Sequence, residues 1–307
     1  MSDIATILGK LGDHSQPIQH RTLRQLSDLG SDSDGELLRV WRPIGVERRR
    51  ALVKAMTGLA EDSVEFDFRD VFQALLADED AEVREAAVDG LWEDERPRTL
   101  RRLLALLGDD PDSDVRAAVA LVLGHFAQRA ELGELRAELA AELRTTLLDA
   151  AGLTNPDTEV RRRVVESAGY FTDPEITELI KDAYATGLQP FKESALAAIG
   201  HNLDPRWLPV LSVELKSSTA ALRYEAARAA GEFGTEGHSL LPLLLPLTED
   251  GDPEVMSTAV WALGQIGGGA AERALQRLVQ SDDLVIQQVA EEALAELHFA
   301  DDASRLI

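Results

Sequence analysis

The chain has 307 residues, of which 45% are hydrophobic and only 5% aromatic, and its 31 basic and 55 acidic residues give a net charge of −24. Ala and Leu carry the apolar content, which supports a large core made by helix-on-helix packing rather than by a sheet. The charge disfavours binding to nucleic-acid phosphates or an anionic membrane, and the absence of cysteine excludes disulfides and thiolate chemistry.

The sequence predicts neither a targeting signal nor a membrane span. The chain begins with Met-Ser-Asp, which is acidic rather than basic, and its most apolar stretch, residues 240–247, is too short to cross a bilayer and contains two prolines. We therefore expect a soluble, cytoplasmic protein.

A short motif recurs along the chain, beginning with two weak copies and becoming clear at Val83-Arg84. The basic residue of each copy, or the residue in its place, serves as a marker. Clear markers follow one another at 31–33 residues, except for a gap of 45 in one repeat. This period indicates about nine stacked units. The markers are Gln19, Arg49, Arg84, Arg116, Arg161, Lys192, Arg223, Met256 and Gln287.

Each repeat is predicted to contain two helices. Around the marker, apolar residues at −1, +2, +3, +6 and +7 fall on one face of a helix, here called the second helix. Amphipathic runs such as 100–107 and 208–215 predict a first helix before it, and acidic turns between the two would cap the second helix. The fold class is therefore all-α: an α-solenoid of about nine two-helix repeats in a single domain, 1–307, with divergent capping units at about 1–45 and 282–307.

The long gap between Arg116 and Arg161 predicts an insertion over residues 129–153. Leucines recur there at helical spacing, so we expect an extended first helix, or an extra helix, from about Glu131 to Ala151. The leucines are Leu132, Leu135, Leu139, Leu143 and Leu147.

Glycines stand near the end of most second helices, at equivalent positions. They are expected to ease the exit from the helix or to allow close approach of neighbouring helices. The glycines are Gly124, Gly169, Gly200, Gly231 and Gly264.

The order Asp-Pro-Asp or Asp-Pro-Glu, then Val-Arg or its counterpart, then Ala and Leu-Gly is present in residues 109–124 and 252–264. This pattern resembles the short HEAT-like repeat first described in phycobilin lyases. The resemblance covers about residues 15–297. It implies helical repeats whose second helices line a concave face, and it is specific for the fold rather than for an activity.

The same resemblance implies a ladder in which Asp and Arg side chains of adjacent repeats pair. Repeats marked by Lys192, Met256 and Gln287 lack the Arg, so the ladder is expected to break there. The matching residues are Arg84, Arg116, Arg161 and Arg223, with Asp80, Asp112, Asp114, Asp157 and Asp252.

On each second helix, the positions one, five and nine residues after the marker point away from the core. In the middle of the array they include Tyr170, Tyr224, Arg228 and Trp261, which are residue types that dominate the energetics of protein interfaces. The alternative is that these aromatic side chains pack sideways against a neighbouring repeat. The predicted partner-binding residues on the concave face are Arg162, Glu166, Tyr170, Glu193, His201, Tyr224, Arg228, Glu232, Trp261 and Gln265.

The sequence favours a non-catalytic protein, although it leaves enzymatic activity open. HEAT-like iron hydroxylases hold their metal with His-Glu pairs, whereas no His-Glu dipeptide occurs here and the six histidines are widely spread. No catalytic residue, metal site or cofactor is predicted.

The leading hypothesis is a scaffold or adaptor that binds a protein partner on its concave face. The alternative, implied by the resemblance alone, is a lyase- or chaperone-like component acting on a chromophore-bearing protein, as in phycobilin lyases. Nucleic acid and membranes are not expected partners, because the chain is strongly acidic.

Overall fold

The structure is a computed structural model and describes residues 3–27, 29–30, 34–63, 65–152 and 156–304. Within these ranges the regular elements are α-helices and short 3₁₀-helices, without any strand. The all-α class predicted from the sequence is confirmed. The outermost residues of both predicted capping units, and residue 153 of the predicted insertion, lie outside the described residues.

Eighteen α-helices occupy the described part of the chain. In chain order they are α1 (Asp3–Leu11), α2 (His20–Leu23), α3 (Asp34–Trp41), α4 (Val46–Asp62), α5 (Arg69–Leu75), α6 (Ala81–Asp89), α7 (Pro97–Asp109), α8 (Ser113–Glu131), α9 (Ala137–Ala151), α10 (Thr158–Ala168), α11 (Pro174–Ala185), α12 (Gln189–Asn202), α13 (Leu208–Glu214), α14 (Ala220–Glu232), α15 (Leu241–Leu244), α16 (Pro253–Ile266), α17 (Gly268–Leu278) and α18 (Leu284–Ser304).

From α3 onward the odd-numbered helices are first helices and the even-numbered ones are second helices, which gives eight consecutive pairs. Helices α1 and α2 precede them and stand in the place of the weakest predicted repeat. The predicted solenoid of about nine two-helix repeats therefore agrees with the order and length of the described helices.

Buried residues recur at the same positions relative to the marker in successive second helices. At the positions −1, +3 and +7 every second helix from α6 to α16 carries a buried residue, as in Val83, Ala87 and Leu91 of the third repeat. Position +2, which the sequence also assigned to the core, is only half-buried at Ala86, Glu225 and Thr258. Its side chains stand at the edge between the core and the outer face of the helix.

Aspartates start at least four of the second helices, and one of them is Asp283 before α18. The carboxylate of Asp80 accepts a hydrogen bond from the Val83 N–H, and Asp112 and Asp252 each accept two from the first turns of α8 and α16. These bonds satisfy backbone donors that have no partner inside the helix, and the negative charge complements the helix dipole.

The chain forms two compact units, Met1–Ser167 and Ala168–Ile307. In the first unit, α4, α6 and α8 pack in succession; in the second unit, α12, α14, α16 and α18 do the same. Each unit therefore has a row of second helices packed side by side.

Two long helices, α8 and α9, account for the 45-residue gap, and α9 begins at Ala137 rather than at the predicted Glu131. Helix α8 has 19 residues and α9 has 15. Gly133, whose φ is 75°, separates them, and this left-handed conformation ends α8 at low cost. Leu139, Leu143 and Leu147 are buried, whereas Leu132 is 68% exposed because it follows the end of α8.

The glycines near the ends of second helices allow close approach of neighbouring helices. A Cβ placed on Gly264 would lie 2.8 Å from the carbonyl oxygen of Ala293 and 2.9 Å from its Cβ, and one on Gly200 would lie 3.1 Å from Cα of Ala229. Adjacent second helices therefore approach to a distance that a side chain at these positions would not permit.

Candidate functional site

Ion pairs connect successive repeats within each unit. Arg84 donates from Nε and Nη2 to the two carboxylate oxygens of Asp110, both at 2.8 Å, and Arg223 does the same with Asp250 at 2.7 Å. Arg49 reaches both oxygens of Asp78 at 2.6 Å. In each case the Arg is the marker of one repeat and the Asp belongs to the turn of the next.

Two of these arginines, Arg84 and Arg223, also hold the turn of their own repeat. Nη1 of Arg84 donates to the carbonyl of Asp78 at 3.0 Å, and Nη1 of Arg223 donates to the carbonyl of Ser217 at 2.9 Å. The hydrogen bonds to Asp110 raise the pKa of Arg84, so its charge is secure although the side chain is 91% buried.

The acidic partners of the ladder differ from those expected. Asp80, Asp112 and Asp252 are N-caps of their own helices, and the ladder uses the aspartates two residues earlier, which are Asp78, Asp110 and Asp250. The carboxylate of each earlier Asp accepts the N–H of the N-cap residue at 2.9–3.0 Å, and so it lies at the outer edge of the turn, within reach of the preceding Arg.

The other expected ladder residues have separate contacts. Asp157 does pair with Arg116, and Asp80 pairs with Arg50 in addition to its capping role. Asp114 is exposed in the first turn of α8. Arg161 donates to the carbonyl of Ala151 at 3.4 Å.

A link persists where the sequence predicted a break. Lys192 pairs with Glu214, which comes from the first helix of the next repeat, and the hydroxyl of Tyr184 donates to the same carboxylate. The Lys192 ammonium also lies 4.9 Å from the centre of the Tyr184 ring. The expectation of a broken ladder at Lys192 is therefore wrong, because a Glu of the following first helix takes the place of the missing Asp.

Of the ten residues predicted for partner binding, nine are half-buried and Glu232 is exposed. Arg162 and Glu166 lie in the first unit on α10, where Arg162 contacts Glu159 at 2.5 Å and Glu166 at 3.4 Å. The remaining eight lie in the second unit, on or next to its second helices. These eight define what we call the second-helix face: Tyr170, Glu193, His201, Tyr224, Arg228, Glu232, Trp261 and Gln265.

Trp261 lies on α16 with its indole against α14. A Cβ on Gly231 would overlap the six-membered part of the indole, at 2.9 Å from Cη2. The absence of a side chain at Gly231 lets the ring approach this helix closely. The ring therefore packs sideways on a neighbouring repeat and keeps an accessible side that lines a groove, and its role in partner binding stays a prediction.

Tyr170 and His201 form a stacked pair, with ring centres 4.1 Å apart and planes 7° from parallel. Burial raises the pKa of the Tyr170 hydroxyl, and the carboxylate of Glu232 adds to this effect. The phenol is therefore neutral at physiological pH and can serve as a hydrogen-bond donor.

A shallow groove on this face is lined by four of the predicted residues. Tyr224, Arg228, Glu232 and Trp261 line it together with Ser257, Thr258 and Val289. Arg228 is held by Glu225 at 2.8 Å; burial disfavours its charged form, but the charge and hydrogen bond of Glu225 raise its pKa overall. The guanidinium is thus charged and fixed in position.

Thr258 and Val289 were not predicted for this face. Both stand two positions after a marker, Met256 and Gln287 respectively, where the sequence pattern predicts core. The sequence does contain a signal for this position: other repeats carry a charged residue there, such as Arg163 and Glu225, which indicates that the position is not fully buried.

The second helices of the first unit carry a cleft of different character. It is lined by Arg50 and Lys54 on α4 and by acidic residues of α4 and α6. Burial and neighbouring carboxylates, Asp89 first among them, raise the pKa of Glu85, and burial with the charge of Glu61 raises that of Asp89. These carboxylates repel one another, so the cleft has a concentrated negative potential.

Two further observations apply to the described part of the chain only. It contains no group of three or more His, Asp or Glu side chains that could hold a metal ion. None of its helices combines the length and the apolar character needed to cross a membrane.

A family model for HEAT repeats matches residues 68–151 and 206–295, which together make up more than half of the chain. The fold and the repeated ion pairs define an α-solenoid, and the chain belongs to the HEAT-repeat family. The resemblance predicted from the sequence is confirmed. No curated protein sequence matches the chain significantly.

Several solved structures are similar to this chain. The complex of CpcE and CpcF of phycocyanin lyase from Nostoc sp. PCC7120 has a TM-score of 0.50 and 20% identity, covering 75% of this chain and 94% of that one. Human deoxyhypusine hydroxylase in complex with glycerol has a TM-score of 0.36 and 17% identity, with 97% and 96% covered. Importin beta has a TM-score of 0.47 and 14% identity, with 96% and 44% covered. At these identities the likeness concerns the fold.

Proposed function

We propose that this protein is a non-catalytic scaffold or adaptor that binds a protein partner on the second-helix face. The observation that carries the proposal is the groove formed by Tyr224, Arg228 and Trp261, where two aromatic side chains and a fixed guanidinium converge. Residues of these types supply most of the binding energy at protein interfaces, because they bury large surfaces at low entropic cost. The concave shape implied by the family resemblance would increase the area that a partner can contact.

The HEAT-repeat family supports this class of function, since stacked helical repeats present extended surfaces to other macromolecules. A lyase- or chaperone-like role is the alternative that the sequence resemblance implied. Its support is a likeness in fold to a phycocyanin lyase complex, and a shared fold does not carry an activity. We therefore retain the scaffold as the proposed function.

Site-specific photo-crosslinking in the source cells tests the proposal. A photoreactive phenylalanine at Glu232, on the exposed rim of the second-helix face, should capture a specific protein. The same group at Val213, an exposed residue of the first helix α13, serves as the matched control. Adding Tyr224→Ala and Trp261→Ala should abolish capture at position 232 while the circular dichroism spectrum is retained.

Two results would contradict the proposal. One is capture of the same proteins in equal amount from positions 232 and 213. The other is capture at position 232 that the Tyr224→Ala/Trp261→Ala variant does not reduce.

A further inference from the structure

Tyr224 is the wall shared by two adjacent depressions on the second-helix face. One is the aromatic groove already described, with Trp261 and Val289. The other, which we call the acidic pocket, is lined by Tyr224 and by carboxylates from α12, α14 and the start of α16. A ligand that occupies one depression therefore lies next to the other, with only the phenol ring between them.

The acidic pocket carries an excess of carboxylates in its lining. Its carboxylates are Glu193, Glu225, Asp252 and Glu254, and its lining includes no Lys or Arg. Glu225 is neutralised by Arg228. Among the described residues, no salt bridge reaches the other three: Glu193 accepts a hydrogen bond from the Gln189 amide and Asp252 accepts backbone N–H groups of α16.

The aromatic groove has the opposite character. The indole of Trp261, the ring of Tyr224 and the side chain of Val289 give it an apolar floor, and Ser257 and Thr258 contribute small side chains that leave it open. Arg228, which lines the groove, is paired with Glu225, which lines the pocket, and this pair carries no net charge. An apolar side chain entering the groove would therefore remove apolar surface from water, while the carboxylate of Glu232, which also lines the groove, is exposed and can keep its contact with water.

We infer that the second-helix face recognises a protein segment in which a Lys or Arg side chain enters the acidic pocket and a large apolar side chain fills the aromatic groove. The inference rests on the proposed function and specifies the chemistry of the partner. Because one ring separates the two depressions, the two side chains must be spatial neighbours. They would be two residues apart in an extended segment and three or four apart in a helix.

The net charge of the whole chain also favours a basic partner segment. A net charge of −24 attracts a basic segment over long range and repels an acidic one. The local carboxylates then select a cation at close range, where the face of Tyr224 is available for cation–π contact.

The test is a selection of random decapeptides displayed on phage against the full chain, followed by counter-selection against Trp261→Ala. Enriched sequences should contain Lys or Arg at one of the stated spacings from Leu, Ile, Phe or Trp. Retention of these peptides should fall at least about tenfold with Glu193→Gln/Glu254→Gln, the loss expected when a desolvated charge pair is removed. Retention should be unchanged with Glu236→Gln/Glu249→Gln, which removes two exposed carboxylates outside the pocket.

The inference is overturned if no sequence is enriched, if the enriched sequences lack basic residues, or if the Glu193→Gln/Glu254→Gln variant retains them like wild type. The crosslinking experiment separates this failure from failure of the proposed function. A partner captured through position 232 whose contact segment lacks the paired basic and apolar residues leaves the scaffold role intact and rejects only the chemistry inferred here.

Discussion

Arg84 and Asp110 lie 26 residues apart in the chain, and their side chains meet in a bidentate ion pair that is almost completely buried, with 9% and 2% of the respective side chains exposed. Because the guanidinium also donates to the carbonyls of Asp78 and Glu79, the pair joins the turns of two repeats. Removing either partner of such a pair is strongly destabilising, because it leaves the other as a buried charge without compensation.

We therefore expect Asp110→Ala to lower the free energy of unfolding by about 3–5 kcal/mol. The neighbouring exposed residue offers a matched control, Asp109→Asn, which should change it by less than about 0.5 kcal/mol. Urea unfolding followed by circular dichroism measures both. Equal midpoints for the two variants would show that the buried pair contributes nothing.

Glycines in the last turns of helices should respond differently to substitution by alanine, depending on the space around the added Cβ. Gly108→Ala on α7 meets open space and should stabilise the chain by up to about 1 kcal/mol through helix propensity. Gly264→Ala on α16 gains the same propensity, but its Cβ meets the backbone of Ala293 on α18, and overpacking of this kind costs about 1–3 kcal/mol. Thermal unfolding of both variants decides this, and a Gly264→Ala variant as stable as Gly108→Ala would contradict the close helix contact.

The Arg223–Asp250 pair gives stability a defined dependence on pH. The hydrogen bonds from Arg223 lower the pKa of Asp250 below its ordinary value, which is about 3.9 in the unfolded chain. The contribution of Asp250 is therefore fully present above about pH 4 and is lost as the pH falls through the lower folded pKa. The difference in unfolding free energy between wild type and Asp250→Asn should be constant from pH 7 to pH 5 and should shrink below pH 4.

Glu249→Gln is the control for that experiment, because Glu249 is exposed beside Asp250. Its difference from wild type should be small at every pH. A difference for Asp250→Asn that grows as the pH falls would have the wrong sign and would reject the pairing.

Glu85 should affect the pH dependence of stability in the opposite sense to Asp250. Burial and the charge of Asp89 raise its pKa, which means that its ionised form is destabilising in the folded state at pH 7. Glu85→Gln should therefore raise the free energy of unfolding by about 0.2–0.5 kcal/mol, the cost of a like-charge pair four residues apart on a helix. The gain should disappear at acidic pH, where Glu85 is protonated; chemical unfolding at pH 7 and pH 4 measures this, and destabilisation at pH 7 would contradict it.

The repeat period was sufficient to predict the all-helical class, the helix pairs and the family, because the spacing of Val83, Ala87 and Leu91 recurs from one second helix to the next. The acids of the ladder were not predictable in the same way. Asp78 and Asp80 are both acidic residues of one turn, and only the backbone path shows that one faces the preceding repeat and the other caps its own helix. Similarly, nothing local in the sequence connects Lys192 to Glu214, which is 22 residues away.

On the second-helix face, too, the sequence predicted some features and could not predict others. Helical spacing located Tyr224 and Trp261 away from the core, since that depends on periodicity alone. It could not show that Gly231 lies under the indole, nor that Val289 of another helix completes the groove, because these depend on which helices are neighbours and how closely they approach.

The Arg–Asp pairs have a direction: the guanidinium comes from one repeat and the carboxylate from the turn of the following one. Copies made to this pattern join head to tail with the same contacts wherever they are placed. Repeats of this kind can therefore be added or removed as whole units during gene duplication or deletion without leaving a charge of the pair unmatched. A deletion that removes only a turn would leave one guanidinium without its carboxylate. The repeat, rather than the helix, is therefore the smallest unit by which the length of the array can change.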